Sequence, residues 1–154
     1  MRLQLTQKER MLLQDQLRHE QACINKYGSY AQQTEDVQLR QLFLQHQQHE
    51  QQHYNTINQF LQGKVPTMGA GGLSQPSQPA SATIVGVAAP ETDDFMCHDL
   101  LMTEKYVSGA YDTTIFESAN PQLRQALQHI QKEEQQHGED IFNYMQQHGM
   151  YQLQ

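Results

Sequence analysis

The chain has 154 residues, a length that suggests one domain with a core of its own, and a net charge of −7. Only 37% of residues are apolar and 18% are charged, while 28 are Gln, so the polar excess is neutral amide and suits long helices with hydrated outer faces better than sheets. The acidic balance disfavours nucleic acid, no apolar run approaches the roughly 20 residues of a membrane span, and Cys23 and Cys97 form no CxxC pair, which argues against a disulfide framework or a thiolate zinc site.

The N-terminal run MRLQLTQKER is too polar for a signal peptide, and a reducing compartment is the default expectation. Four helices are predicted, at about 6–34, 36–62, 92–118 and 121–148. Asp36 and Asn120 stand as N-caps, the latter followed by Pro121 at the first helical position. Thr92 with Asp93 and Asp94 reads as an acidic helix start. Between the second and third helices, residues 63–90 hold five Gly, four Pro and a single charge, Lys64. That density of helix breakers predicts a crossover linker over 63–91, within which Ala82–Ala89 could pack along the bundle as an extended strand.

The two halves repeat each other. With a shift of 84, residues 12–62 align on 96–146 without gaps and with 15 identities in 51 positions. Glu20 falls on Glu104, Tyr27 on Tyr111, Gln38-Leu39-Arg40-Gln41 on Gln122-Leu123-Arg124-Gln125, and Glu50-Gln51-Gln52-His53 on Glu134-Gln135-Gln136-His137. A unit of this length that occurs only twice reads as a duplicated helical hairpin.

Each helix carries an apolar seam with a Glu inside it. The fourth runs Leu123, Leu127, Ile130, Glu134, His137, Ile141, Tyr144, His148, in steps of four and three. The second runs Leu39, Phe43, His46, Glu50, His53, Ile57, Phe60. The first runs Leu13, Leu17, Glu20, Ile24, Tyr27, Ala31, and the third Cys97, Leu101, Glu104, Ser108, Tyr111, Ile115. Glu20 and Glu50 lie 15 residues either side of the turn at residue 35, and Glu104 and Glu134 are spaced alike about residue 119. At 1.5 Å per residue all four sit about 22 Å from their turns. A linker of 28 residues reaches about 90 Å, ample to let two hairpins meet around a two-fold axis. The predicted fold is therefore all-α: one antiparallel four-helix bundle spanning 1–154.

Four carboxylates in a bundle core repel one another, and burying each bare charge costs several kcal/mol. Protonation relieves this in part; two divalent cations balance four negative charges fully. Glu20, Glu50, His53, Glu104, Glu134 and His137 are thus the candidate metal ligands. An oxygen-rich set with two imidazoles suits iron or manganese, with zinc as a substitute. Two other readings stay open: a relic site, buried and hydrogen-bonded without metal, and plain surface Glu–His pairs on Gln-rich helices. Tyr27 and Tyr111, one heptad from the seam Glu residues, read first as core packing and second as hydrogen-bond partners of a ligand. His46 reads first as packing with a polar tip, since its repeat mate is Ile130, and second as an extra ligand or proton relay. His19, His49, His98, His129 and His148 read as surface or bundle-end residues. Asp15 and Asp99 read as polar contacts, and Arg40 and Arg124 as partners for acids across the hairpin turns.

Two resemblances meet on these residues. The pattern Glu20, Glu50-x-x-His53, Glu104, Glu134-x-x-His137 resembles the ferritin-like bacterioferritins and rubrerythrins. That resemblance implies that Glu50 and Glu134 bridge two metals, with Glu20, His53, Glu104 and His137 as terminal ligands. It departs at the absent CxxC pair, at the missing fifth helix of the cage-forming ferritins, which disfavours iron storage, and at Gln51, where bacterioferritin has a haem-ligating Met. Over the second half, Leu100-Leu101, Lys105, Tyr111, Glu117, Leu123-Arg124, Glu133-Glu134, Phe142, Met145 and Gly149-Met150-Tyr151 are similar to the spore coat protein F family of endospore-forming bacteria. That family implies a ferritin-like fold and a place in the spore coat or forespore, so the expected location is cytoplasmic or the spore coat of an endospore-forming bacterium.

Two functions follow. One is a redox metalloprotein acting on O2 or peroxide, of ferroxidase, peroxidase or catalase type. The other is a structural coat or assembly protein, pairing with itself or with other coat proteins, in which any metal serves stability.

Overall fold

The computed structural model describes residues 2–67 and 91–153. Four helices run α1 Gln7–Gln33, α2 Val37–Leu61, α3 Asp93–Glu117 and α4 Pro121–Gln147. Each begins where the sequence supplies a side-chain acceptor for orphan backbone N–H groups. Thr6 caps α1 in a reciprocal box with Glu9. Asp36 accepts from Gln38 and Leu39, Thr92 from Phe95, and Asn120 from Leu123, with Pro121 following. Most helix ends fall a residue inside the predicted spans, because the caps lie outside the helix: the N-caps, Thr34 and Ser118 are extended, and the C-caps Gln62 and His148 have left the helical region. Ala82–Ala89 lies outside the described residues.

Helix α1 packs on α2 and α3, and α4 packs on α3 and α2. Cross-hairpin contacts run in opposite order along the chain: Gln16 meets Thr114, Tyr27 meets Glu104 and Tyr30 meets Asp99. Thus α1 is antiparallel to α3, and α2 and α3 point the same way. Leu61 and Asp93 therefore lie at opposite ends of an antiparallel four-helix bundle. No described helix is long and apolar enough to cross a membrane.

One core runs the length of the bundle, from Leu13, Phe60 and Leu123 through Tyr27 and Tyr111 to Leu39, Met96 and Met145. Each fully buried large side chain contributes roughly 1.5–3 kcal/mol. The seams of α2 and α4 are buried as predicted, except that His148 is exposed at the C-cap of α4. On α1 and α3 the seam is displaced. Leu17, Leu101 and Ser108 are only partly buried, while Cys23, Leu100 and Val107 are fully inside. These two helices face a hairpin mate on one side and each other on the next, so their buried stripe is wider than a two-helix seam.

Two residues lock the ends. Arg40 donates to the carbonyls of Ala31 and Thr34, at 3.1 and 2.7 Å, so it closes the C-terminus of α1, and among the described residues it pairs with no acid. Buried Glu9 accepts from Thr6 N at 2.8 Å and from Ala119 N and Asn120 N at 2.7 and 3.3 Å, tying the start of α1 to the α3–α4 turn. Burial pushes its carboxyl up, but these bonds outweigh that and hold it low. Glu9→Ala leaves buried N–H groups without acceptors and is expected to cost about 1–3 kcal/mol in denaturant unfolding. The wild-type contribution is present above the ordinary Glu range and disappears as pH falls through the lowered folded value.

Candidate metal centre

The side chains of Glu20, Glu50, His53, Glu104, Glu134 and His137 come together midway along the bundle, each no more than 3% exposed. They form two overlapping sets. Glu20, Glu50, His53 and Glu134 place one donor atom each within 4.8 Å of the others, and so do Glu50, Glu104, Glu134 and His137. Glu50 and Glu134 belong to both sets.

The arrangement is reciprocal across the repeat. His53 Nδ1 lies 2.9 Å from Glu134 Oε1, and His137 Nδ1 lies 2.8 Å from Glu50 Oε1. Tyr27 donates to Glu104 Oε1 at 2.6 Å, and Tyr111 donates to Glu20 Oε1. Each hairpin's tyrosine thus holds the other hairpin's lone Glu. Both phenols are fully buried, and burial, with the charges on Glu104 and Glu20 respectively, keeps them protonated donors.

These bonds leave much unsatisfied. Glu20 Oε2, both oxygens of Glu50, Glu104 Oε2, Glu134 Oε2 and His137 Nδ1 are buried without a hydrogen-bond partner. The short approach of Glu50 Oε1 to His137 Nδ1 lacks hydrogen-bond geometry. The donor atoms of each set lie within 4.8 Å of one another, and buried polar atoms without partners are costly unless a further group satisfies them. Oxygen-rich donors with two imidazoles suit hard or borderline divalent cations, so the residues present fit a two-metal site.

The electrostatics carry the same strain. Burial, then the charge on Glu50, pushes Glu20 up to about 8. Burial and the charge on Glu104 push Glu134 well above the carboxylate range. Burial also opposes ionisation of Glu50, but the close approach of Glu20, His137 and His53 holds it well below that range. Burial would depress both histidines; bonds to Glu133 and Glu134 raise His53 well above its usual value, and Glu104 and Glu50 lift His137 to about 9.

Around this centre several sequence expectations are corrected. For Tyr27 and Tyr111 the second reading holds over plain packing, since each donates to a candidate ligand. His46 is fully buried, with Nδ1 3.2 Å from Tyr27 Oη and Nε2 3.1 Å from Asp140 Oδ2, and its ring stacks on His137. His49 is not a surface residue: it is half-buried, with Nδ1 3.0 Å from His137 Nε2. Asp140 was not singled out, and Glu133 only within the Glu133-Glu134 match to the coat family. Glu133 Oε1 lies 3.4 Å from His53 Nε2 and 2.8 Å from exposed His129. A usable signal existed, because His49 and Glu133 occupy matching places in the repeat, one before each duplicated Glu. Asp99 makes the polar contacts expected of it, with Lys26 at 3.0 Å and Tyr30 at 2.8 Å, while Asp15 pairs with Arg18 on the surface.

Residues 92–154 match a family model described as the Coat F domain. No curated protein matches the chain. Among solved structures the chain is similar to a two-domain protein of Anabaena variabilis that contains DJ-1/ThiJ/PfpI-like and ferritin-like domains, with a TM-score of 0.71 and 14% identity. The likeness covers 95% of this chain and 38% of that one, so the chain spans well under half of its neighbour's length. At such low identity it speaks for the fold, which is a ferritin-like four-helix bundle.

Proposed function

We propose that this ferritin-like chain, with a Coat F domain over its second hairpin, is a single domain that binds two divalent metal ions, iron or manganese, between its four helices. The observation that carries the reading is the set of buried oxygen and nitrogen atoms on five of the six candidate ligands that have no hydrogen-bond partner. Two divalent cations balance the four carboxylates and give those atoms partners. Glu50 and Glu134, common to both donor sets, would be shared by the two ions, while Glu20 with His53 would hold one and Glu104 with His137 the other. Tyr27 and Tyr111 fix the orientation of Glu104 and Glu20, and the apolar layers above and below exclude water. When bound, such a pair supplies redox chemistry toward O2 or peroxide, the substrate class we assign to the site.

Metal analysis of the purified full chain, followed by O2 and peroxide consumption, tests this. Two iron or manganese ions per chain with turnover is the expected result; a chain without metal after reconstitution overturns it.

One observation favours a structural reading beside it. On α3, Phe95, Met102, Tyr106 and Phe116 are between 50% and 76% exposed and recur on one outer face. A face of that kind suits contact with a second copy or with other proteins of a spore coat. Bound metal without turnover, in a protein that assembles, supports that role.

A further inference from the structure

The six candidate ligands obey the repeat without exception, whereas the residues behind them do not. Glu20 and Glu104, Glu50 and Glu134, and His53 and His137 are mates under the shift of 84, and so are Tyr27 and Tyr111. Position 49 is His where 133 is Glu, position 46 is His where 130 is Ile, and position 56 is Thr where 140 is Asp. All three differences gather around the imidazoles. His53 turns its outer nitrogen to the carboxylate of Glu133, at 3.4 Å. His137 turns the same nitrogen to another imidazole, His49, at 3.0 Å, and is covered by His46 at a ring separation of 4.1 Å. Asp140 is bonded to His46, and among the described residues no hydrogen bond or ion pair joins it to His137.

An imidazole whose outer N–H donates to a carboxylate is a more basic ligand through its inner nitrogen, and the carboxylate adds a negative charge behind it. A neutral imidazole acceptor does neither to the same degree. We propose that the two cation positions are therefore inequivalent: the position of Glu20, Glu50, His53 and Glu134, backed by Glu133, fills first, and that of Glu50, Glu104, Glu134 and His137, backed by His49, fills second. This rests on the two-metal reading above and deepens it. Glu133 and His49 act through His53 and His137, as positioning residues.

The test is a calorimetric and visible-absorption titration of the metal-free full chain with Co(II). Two steps are expected, their Kd values separated by at least about tenfold, the scale on which outer partners of a ligand histidine act. Glu133→Gln is expected to weaken the first step by about 10–100-fold and leave the second nearly unchanged. His49→Glu, which copies position 133 into position 49, is expected to tighten the second step until the two merge. A crystal grown with one equivalent of Co(II) should show anomalous density at the His53 position, a readout that depends on no variant. Two cations entering as one step in the wild type, or equal density at both positions, overturns this inference and leaves the two-metal reading standing. Failure to bind any cation overturns both.

Discussion

Glu50→Ala and Glu134→Ala, made singly, are each expected to reduce metal content from two ions per chain to nearly none. Both carboxylates stand in both donor sets, so either loss strips a ligand from each position. The deficit is larger than for a terminal ligand: Glu20→Ala or Glu104→Ala removes one donor from one set. Stability should move the other way for one conservative change. Glu134 is held well above the ordinary carboxylate range, by burial first and by Glu104 second, so Gln at that position resembles the protonated side chain. Glu134→Gln is therefore expected to lose metal yet melt no lower than the wild type under chelator. Metal analysis and a thermal melt of the same sample check both halves, and undiminished metal content would refute the bridging role.

Raising pH should weaken the chain under chelator and strengthen it in the presence of metal. Folding raises Glu20 to about 8 and His137 to about 9, and it raises Glu134 and His53 well above their usual values. Above about pH 6.5 the folded chain thus keeps protons that the unfolded chain has released, and stability falls as pH rises toward 9. The window opens there because burial lowers His46 to about 4 and lowers His49 as well, so both oppose the trend at lower pH. A loss of at least ~2 kcal/mol, about 5 °C in Tm, is expected between pH 6.5 and 9. Metal reverses the sign, since ligands bind deprotonated and binding releases protons. A chelated sample whose Tm rises over that interval would contradict the burial of these four groups.

The bundle and its acidic centre were legible because their signals are periodic. Steps of three and four placed Glu50 and His53 in one stripe, the repeat placed Glu134 and His137 in another, and equal spacing about two turns put all four carboxylates at one height. Capping residues at 36, 92 and 120 gave the helix starts. Less was visible where a role depends on which neighbour a side chain meets across the bundle. Tyr27 and Tyr111 read as core residues ahead of ligand partners because a tyrosine on a seam usually is one; only packing of α1 on α3 brings each hydroxyl to the opposite hairpin's Glu. His49 and Glu133 sit beside the stripe rather than in it, so periodicity assigned His49 to the surface and gave Glu133 no role at the site. Arg40 was given an acid for a partner, although unpaired carbonyls at a helix C-terminus attract a guanidinium equally well.

The reciprocal contacts of the two hairpins bear on how such a protein could have arisen. A pair of separate, identical hairpins meeting about a two-fold axis would close the same six-donor centre, since each supplies one lone Glu and one Glu-x-x-His. Such a pair must carry one residue type at both copies of every position. Covalent fusion lifts that constraint: once both copies lie in one gene, His49 and Glu133 can diverge while the donors they support stay the same.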